Sequence, residues 1–387
     1  MKKDICVFLF CDALGFEIVS TYHFMEQELP FRYPARTQLG YSSTAVPTIL
    51  TGKPPTEHRH LSFFYRNPSG YSPFKIFKIL QYFLHPRIFF NHHRVRHQIS
   101  KLIKKICGFT GYFSLYQVPY ERLSLLDYCE KKDIFAPCGL APIPNLHDML
   151  DKTGINFHIS NWRRSDKENL DEAKKLITER ATDLMFIYTA EIDGMLHFNV
   201  KDPEVVSKRL KAYSAEVKGL LEAAAVNGDN LRLFVISDHG MTPHVGTVDL
   251  KSRLEATPFR FGTDYIACYD STMLRLYVLN PLCREELLRS VDGAPGKWLS
   301  EQEKKDFNLD FDDAMYGDEI YLLEPGYQLV PSDMSSKAIP GMHGYTPDDI
   351  YSTASLLSNV RPDFVPEEIS GFFDLIRREA EKLAEDR

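Results

Sequence analysis

The sequence lacks the features that mark several classes of protein. None of its apolar runs reaches the length of about 20 residues that a membrane-spanning helix needs. Its seven cysteines include no Cys-x-x-Cys pair and are odd in number, which argues against a thiolate metal site and against a disulfide framework. Lys and Arg (46) do not exceed Asp and Glu (53), so there is no general basic character of the kind that binds a nucleic acid duplex. No internal repeat or low-complexity segment is present.

The amino terminus resembles a secretory signal but does not complete one. Met1-Lys2-Lys3-Asp4 precedes a short apolar run from Ile5 to Cys11. Asp12 ends this run, and no cleavage site of small residues follows. We interpret the run as a buried strand, and we expect reduced cysteines and a cytoplasmic location.

One part of the chain differs from the rest in charge and composition. Between Arg59 and Arg122 there are eleven Lys and Arg residues, many aromatic residues, and a single acid, Glu121. The length fits one large α/β domain with an insertion, or two domains. We predict one domain over residues 1–387, with residues 59–138 inserted into it as a lid or cap. The basic charge fits a lid over an anionic substrate or a peripheral contact with anionic lipid. A helical insertion with a solvated basic face explains it equally well.

Buried strands that end in carboxylates indicate an α/β fold. Three apolar runs have the length and composition of strands in a parallel sheet: Ile5–Phe10, Leu184–Tyr188 and Leu231–Ile236. Asp12, Asp193 and Asp238 follow these runs. The carboxyl ends of parallel strands form one edge of a sheet, where ligands bind in open α/β folds.

Two of the three carboxylates have an imidazole nearby in the sequence. Asp193 and His197 are four residues apart and share one face of a helical turn, and His239 directly follows Asp238. Carboxylate and imidazole together are suitable ligands for Zn²⁺ or a similar divalent ion. Taken singly, such a pair is weak evidence for a metal site, because many are helix caps or polar surface pairs.

A hydroxyl-rich segment begins at Gly40 and reads Gly-Tyr-Ser-Ser-Thr. An apolar stretch follows and ends at Gly52 with Pro residues beyond, which predicts a short helix from about Thr44. Ser42 or Ser43 would then lie at the helix amino terminus, where peptide N–H groups and the macrodipole favour an anion. A plain N-cap is the alternative.

The remaining pattern alternates helices with strands. We predict helices over Leu146–Leu150, Lys167–Thr182, Val205–Ala225, Glu285–Val291, Ile350–Asn359 and Pro366–Arg387, and strands over Ile155–Ile159, Met273–Leu279 and Ile320–Leu323. A loop from Gly326 to Lys337 leads to His343, which lies between residues of a Gly-rich segment. Read alone, such a His is more typical of an exposed residue than of a site.

Together the candidate residues supply six nitrogen or oxygen ligands and one candidate nucleophile at Ser42 or Ser43. The ligands are Asp12, Asp193, His197, Asp238, His239 and His343. Six ligands suit two metal ions with three protein ligands each. A two-metal site stabilises both the attacking and the leaving oxygen of an in-line displacement.

The chain resembles the alkaline phosphatase superfamily, whose members include the nucleotide pyrophosphatase/phosphodiesterases. The resemblance is carried by five blocks in the same order: Asp12; Ser42 with Thr51-Gly52, Pro55 and His58; Asp193-x-x-x-His197; Ser237-Asp238-His239-Gly240-Met241; and Gly341-Met-His343-Gly-Tyr345. It covers the sheet core but not Arg59–Cys138. It implies an α/β sandwich with a central, mostly parallel sheet and helices on both faces.

The resemblance also implies roles for the site residues. Asp193, His197 and His343 match the ligands of one metal. Asp12, Asp238 and His239 match those of the other, which the nucleophile's oxygen completes. The family interval before Thr51-Gly52 falls on Ser42, with Ser43 in reserve if the loop has gained a residue. The cofactors expected are two divalent ions, with Zn²⁺ favoured and Mn²⁺ the alternative.

The implied activity is metal-dependent cleavage of a small-molecule phosphodiester or nucleotide pyrophosphate through a phosphoserine. The alternatives are a phosphomonoesterase, a phosphoryl transferase or mutase, and a membrane-surface enzyme acting on a lipid-linked phosphate. Ser42 is not followed by Pro and Arg, which argues against a formylglycine sulfatase. His58 has an expected structural role and His244 none. The leaving group and the oligomeric state stay open.

Overall fold

The computed structural model describes residues 3–385. Met1, Lys2, Asp386 and Arg387, which the predicted domain and the predicted terminal helix include, lie outside the described residues. The chain forms two compact units. The second unit comprises Pro55–Ile134 and His244–Tyr345, and the first takes the rest of the described chain. Most of the predicted insertion is thus in the second unit, and the prediction of a single domain stays a prediction.

The strands, in chain order, are β1 Asp4–Cys11, β2 Phe31–Ala35, β3 Phe64–Tyr65, β4 Asp127–Tyr128, β5 Phe157–Ile159, β6 Leu184–Thr189, β7 Asn230–Ile236, β8 Thr242–Pro243, β9 Gly246–Val248, β10 Tyr265–Tyr269, β11 Met273–Val278, β12 Gly296–Trp298, β13 Glu319–Leu323, β14 Tyr327–Leu329, β15 Gly341–Met342 and β16 Ala354–Ser358.

The helices are α1 Phe16–Thr21, α2 Ser42–Thr51, α3 Pro55–His58, α4 Phe77–Leu80, α5 Arg87–Phe90, α6 His93–Cys107, α7 Tyr120–Leu123, α8 Leu146–Asp151, α9 Asp166–Thr178, α10 Glu191–Asn199, α11 Pro203–Asn227, α12 Leu250–Glu255, α13 Arg284–Arg289, α14 Glu301–Asp306 and α15 Phe372–Glu385. In the part of the chain that the structure describes, no helix is long and apolar enough to cross a membrane.

The first unit is built on a six-stranded sheet with the order β2-β16-β7-β1-β6-β5. Strands β7, β1, β6 and β5 pair in parallel, and β16 runs antiparallel to both of its neighbours. The three apolar runs that the sequence identified are the central strands β1, β6 and β7. The predicted α/β class with a central, mostly parallel sheet is confirmed.

Helices cover both faces of this sheet, because strand β1 is apolar on both of its sides. Ile5, Val7 and Leu9 pack in one core with buried residues of α9 and α11. On the opposite face, α15 packs against β1, and its Glu379 binds Arg232 of β7 with a Nε–Oε2 distance of 2.6 Å. The predicted arrangement of helices on both faces is confirmed.

The prediction of a helix over Ile350–Asn359 is wrong. The segment forms a 3-10 turn, Ile350–Ser352, and then strand β16, all of whose residues are buried. Its sequence of small and apolar residues has no period that separates helix from strand. Burial between β2 and β7 decides the outcome, and the Ser355 hydroxyl is accommodated there by donating to the Leu14 carbonyl at 2.6 Å.

The second unit contains a four-stranded antiparallel sheet with the order β10-β11-β13-β12. The predicted strands at Met273 and Ile320 are confirmed within two residues as β11 and β13. Arg275 of β11 is fully buried and pairs with Asp270, with a Nε–Oδ2 distance of 2.7 Å. An aromatic cluster around Tyr120 and Tyr128 forms a separate core beside this sheet.

Candidate active site

Three candidate residues, Asp12, Asp193 and Asp238, follow the central strands at one edge of the sheet. Phe10 of β1 is in register with Tyr188 of β6 and with Ile236 of β7. Because these strands are parallel, the segments that follow them leave the sheet at the same edge. Asp12 and Asp238 are buried there, and α10 begins two residues after β6.

Asp12, Asp238 and His239 form a compact group in the first unit. The His239 Nε2 atom lies 3.2 Å from Asp238 Oδ2 and 3.6 Å from Asp12 Oδ1. One ligand atom from each residue lies within 4.8 Å of the other two, a spacing that can accommodate a single ion. The Nδ1 atom of His239 lies 3.0 Å from the Gly240 carbonyl oxygen. Donation from Nδ1 would fix the tautomer that leaves a lone pair on Nε2.

The hydrogen bonds of the two carboxylates fit a metal site. Asp12 Oδ2 accepts from the Tyr188 hydroxyl at 3.2 Å, and Asp238 Oδ1 accepts from the backbone N–H groups of Ala13 and His239 at 3.2 and 3.0 Å. The oxygens nearest His239 Nε2, Asp12 Oδ1 and Asp238 Oδ2, are buried and accept no hydrogen bond from any described residue. Buried acceptors without donors are costly, and a cation would satisfy both.

The electrostatics of this group indicate the same requirement. Burial raises the pKa of Asp12 well above its usual value, and the charges of Asp238 and Asp193 raise it further. Burial also raises the pKa of Asp238, while the charge of His239 lowers it. Buried carboxylates such as Asp12 and Asp238 repel each other and favour protonation unless a positive charge lies between them. The donor set of carboxylates and an imidazole therefore fits a divalent ion such as Zn²⁺.

Ser42 is the first residue of α2, two residues earlier than the sequence predicts for the helix start. Its Oγ lies 3.1 Å from His239 Nε2, and Ser42 keeps partial exposure. Ser43 is 3% exposed. The loop that leads to α2 is fixed to the site because the Thr37 hydroxyl donates to the Asp238 carbonyl at 2.7 Å. The hydroxyl of Ser42 thus lies beside the carboxylate and imidazole group, at a helix amino terminus.

Asp193 and His197 lie one turn apart on α10, as their spacing predicts. The His197 Nε2 atom is 3.3 Å from Asp193 Oδ1, and about a fifth of each side chain is exposed. Their helix begins at a fixed place because Asp166, the first residue of α9, accepts from the N–H groups of Ala190 and Glu191 at 2.8 and 3.0 Å. Burial raises the pKa of Asp166 to about 6, against the lowering effect of these two hydrogen bonds.

Three residues that support the site were missed by the sequence reasoning. Asp166 caps a helix that begins 25 residues later in the chain, and Tyr188 donates to a carboxylate that follows another strand. No local pattern identifies such contacts. Gly15 is required by the close approach of two loops, because an added Cβ would lie 2.4 Å from the Gly240 Cα. A Gly after a strand is a weak indication of such an approach.

The other three histidines considered in the sequence analysis, His58, His244 and His343, belong to the second unit. His343 is buried and directly follows β15. His58 ends α3, where its Nδ1 accepts from the His60 N–H at 3.2 Å and burial lowers its pKa. These contacts agree with the structural role expected of His58. His244 begins the second segment of this unit and lies next to β8 in the sequence.

Several known proteins are similar to this chain. The sequence model of the type I phosphodiesterase/nucleotide pyrophosphatase family matches residues 33–346. No curated protein matches the chain. The structure of murine ectonucleotide pyrophosphatase/phosphodiesterase 5 is 13% identical with a TM-score of 0.68, over 98% of this chain and 95% of that one.

Two related structures give the same picture. An inactive variant of the murine protein in complex with AMP has a TM-score of 0.67, and the human protein has one of 0.64. Both are 13% identical and cover 98% of this chain and 95% of theirs. The structural likeness at this identity shows the alkaline-phosphatase-like fold.

The family match covers most of the chain and agrees with the fold, and its range includes four of the five sequence blocks. It makes the protein a hydrolase of the phosphodiesterase and nucleotide pyrophosphatase type, in a family whose enzymes depend on metal. The chain belongs to the type I phosphodiesterase/nucleotide pyrophosphatase family.

Proposed function

We propose that the protein cleaves phosphodiester or nucleotide pyrophosphate bonds by transferring the phosphoryl group first to Ser42 and then to water. One observation carries the proposal. The Ser42 hydroxyl lies 3.1 Å from His239 Nε2, beside two buried carboxylate oxygens that accept no hydrogen bond within residues 3–385. A hydroxyl among metal-binding groups and at a helix amino terminus is placed for activation as a nucleophile.

Two divalent ions complete the proposed site. Asp12, Asp238, His239 and the Ser42 oxygen would hold one ion, and the family resemblance assigns Asp193, His197 and His343 to the other. The assignment of His343 is based on the resemblance of Gly341-Met-His343-Gly-Tyr345 to the family pattern. We favour Zn²⁺ because carboxylates and imidazoles are its common ligands, and Mn²⁺ is the alternative.

When bound, the ions would lower the pKa of the Ser42 hydroxyl and balance negative charge on the transferred group and the leaving oxygen. Ser42 Oγ then attacks phosphorus in line, and the bond to the leaving oxygen breaks. The N–H groups at the start of α2 attract the anionic phosphoryl group. The phosphorus, now esterified to Ser42, keeps the substrate's second ester group. Water attacks it in the second step, which breaks the bond to Ser42 Oγ, releases a phosphate monoester and restores the Ser42 hydroxyl.

A nucleotide is the substrate class that we extend to this chain. The inactive variant of the murine protein was solved in complex with AMP, and that structure has the same fold as this protein. A nucleoside monophosphate is also the product that this mechanism gives from a nucleotide pyrophosphate. We therefore expect the reaction to release AMP or a related monophosphate, and we expect this product to inhibit the enzyme.

The test is the hydrolysis of a chromogenic nucleotide diester, p-nitrophenyl thymidine 5′-phosphate, by purified protein with Zn²⁺ or Mn²⁺. We expect Ser42→Ala to lower kcat about a thousandfold or more, because removal of a nucleophile eliminates the covalent step. Ser43→Ala is the matched control and should keep most of the activity. Full activity of Ser42→Ala, or loss of activity only in Ser43→Ala, would reject Ser42 as the nucleophile.

A further inference from the structure

Residues 71–112 of the second unit expose an unusual amount of apolar surface. More than half of the large apolar side chains that are exposed among the described residues belong to this short segment. Ile79 is 67% exposed, Phe83 71%, Leu102 58% and Ile106 74%. Scattered exposed apolar residues are normal, but a concentration of them in one segment marks an interaction surface.

These residues are exposed although the opposite side of their segment is buried in a core. Phe77 of α4 and Ile103 of α6 are buried in one aromatic core with Tyr120, and the Phe77 and Tyr120 rings stack at 5.8 Å. Arg96 of α6 is also buried, with its guanidinium 4.5 Å from the Tyr120 ring. Helices α4 and α6 thus pack on the same core, which leaves the other side of each helix exposed.

The outward side of α6 combines apolar and basic residues at helical spacing. Arg96, Ser100 and Ile103 form its buried face. Leu102 and Ile106 are four residues apart and therefore lie on one side of the helix, away from that face. Lys101 and Lys105 are also four apart, lie next to them in the sequence, and are exposed.

The wider region that contains this segment, residues 59–122, has a charge opposite in sign to that of the whole chain. Residues 59–122 carry eleven Lys and Arg against one acid, whereas the full sequence has a formal net charge of −7. Lys75 and Lys78 are exposed beside Ile76 and Ile79 in the same way as the lysines of α6. Exposed apolar side chains next to lysines match the requirements of the interface between water and an anionic bilayer.

We propose that this basic apolar face, defined by Ile79, Phe83, Lys101, Leu102, Lys105 and Ile106, docks on the surface of a bilayer that contains anionic lipid. The apolar side chains enter the interface, and the lysines contact the phosphates of the headgroups. A protein partner would have to offer both an acidic and an apolar surface, whereas an anionic bilayer supplies both over any area. This proposal does not depend on the proposed hydrolytic function.

The experiment is cosedimentation of the full-length protein with vesicles. We expect binding to vesicles of phosphatidylcholine and phosphatidylglycerol at low salt, weaker binding at high salt, and none to phosphatidylcholine alone. The double variant Lys101→Glu/Lys105→Glu should lower the partition coefficient about tenfold or more. Ile79→Ser/Phe83→Ser should also lower it about tenfold, since two apolar side chains no longer enter the interface.

Matched controls use exposed residues on α11. Lys208→Glu/Lys211→Glu changes the net charge equally, and Val226→Ser removes an apolar side chain that is 82% exposed. Both controls should bind vesicles like wild type, and circular dichroism should show that all variants are folded. Activity on the soluble diester should be unchanged in the variants of the basic apolar face.

Three results would overturn the proposal. Wild-type protein that does not bind anionic vesicles at low salt has no such surface. Equal loss in the α11 controls would show that binding follows net charge and not this face. A dimer in gel filtration that Ile79→Ser/Phe83→Ser dissociates, without vesicle binding by wild type, would make the face a contact between two copies.

Discussion

Asp333 is a buried acid whose charge the second unit solvates poorly. Its Oδ2 accepts from the Tyr269 N–H at 2.9 Å, while Oδ1 accepts nothing from residues 3–385. Burial raises its pKa to about 6, although the hydrogen bond from Tyr269 and the charge of Arg122 act in the opposite direction. The neutral form is therefore the one that the fold favours.

This pKa shift gives the stability a pH dependence with a definite sign. The folded pKa lies above the unfolded value of about 3.9, so the folded state holds the proton more tightly. Stability therefore falls as the pH rises from about 4 through about 6. Asp333→Asn removes the effect, so the free energy of unfolding of the variant, relative to wild type, should rise by roughly 2–3 kcal/mol between pH 4 and pH 8.

Urea unfolding of both proteins at the two pH values measures this difference. Asp310→Asn, at an exposed acid, is the control and should show little change with pH relative to wild type. A difference between Asp333→Asn and wild type that stays constant from pH 4 to pH 8 would contradict the prediction.

At the residue scale, chemistry that repeats at strand ends is predictable, and support from distant residues is not. Asp12 and Asp238 were noticed because each follows a buried strand, and the family resemblance grouped them with His239. One ligand atom of each of the three residues lies within 4.8 Å of the other two. Asp166 and Tyr188 act through contacts whose partners lie 24 to 176 residues away in the chain. No spacing rule reaches that far, so such residues are found only once the fold is known.

The loop after β7 lies too close to the backbone of Tyr351 for any side chain at Gly240. An added Cβ there would lie 2.2 Å from the Tyr351 carbonyl oxygen and 3.3 Å from the Gly15 Cα. Backbone atoms cannot move away as a flexible side chain can, so the loop that carries His239 would have to shift. We expect Gly240→Ala to destabilise the protein by roughly 2–4 kcal/mol, since overpacking in a rigid environment has this order of cost.

Gly194 is the matched control for this substitution. It lies in α10, and an added Cβ would meet no atom within 4 Å. Gly194→Ala should therefore stabilise the protein by up to about 1 kcal/mol through helix propensity. Chemical denaturation of the two variants checks the pair. Equal and small effects in both would show that the approach of Gly240 to the Tyr351 backbone tolerates a methyl group.

At the scale of elements, the sequence predicts strands that are continuously apolar, and it does not predict a strand that mixes apolar and polar residues. Strands β1, β6 and β7 are continuous apolar runs, and each was predicted nearly to its ends. Strand β16 carries two serines among its five residues and was predicted as helix. Its strand conformation comes from pairing with β2 and β7, neighbours that precede it by more than a hundred residues.

At the scale of the whole chain, composition identifies a distinct region but not its packing partners. The basic, aromatic-rich segment was recognised from residue 59 onward, and the second unit begins at Pro55. The same unit also includes His244–Tyr345, which has no unusual composition. Ile266, Cys268 and Tyr277 of its antiparallel sheet pack in the aromatic core with residues of Pro55–Ile134, and local sequence carries no record of that association.

Metal removal should be visible in the stability of the whole protein. Ions that bind only the folded chain add stability by mass action, about 2.7 kcal/mol at a concentration a hundred times the Kd. In chelator, the buried carboxylates of Asp12 and Asp238 repel each other without a cation between them. Asp12→Asn removes one of these charges, so at pH 8 the metal-free variant should be at least as stable as metal-free wild type.

Added Zn²⁺ should reverse that order, because wild type gains the binding free energy and Asp12→Asn, with a weakened ligand set, gains little of it. Calorimetric Tm values in chelator and in Zn²⁺ measure both effects, and Asp310→Asn should follow wild type in each. Destabilisation of Asp12→Asn by the same amount in both conditions would give Asp12 a structural role instead. The reversal distinguishes the two roles. Loss of a structural carboxylate lowers the Tm by the same amount with and without metal. A metal-binding carboxylate lowers the stability when the metal is absent and raises it when the metal is bound.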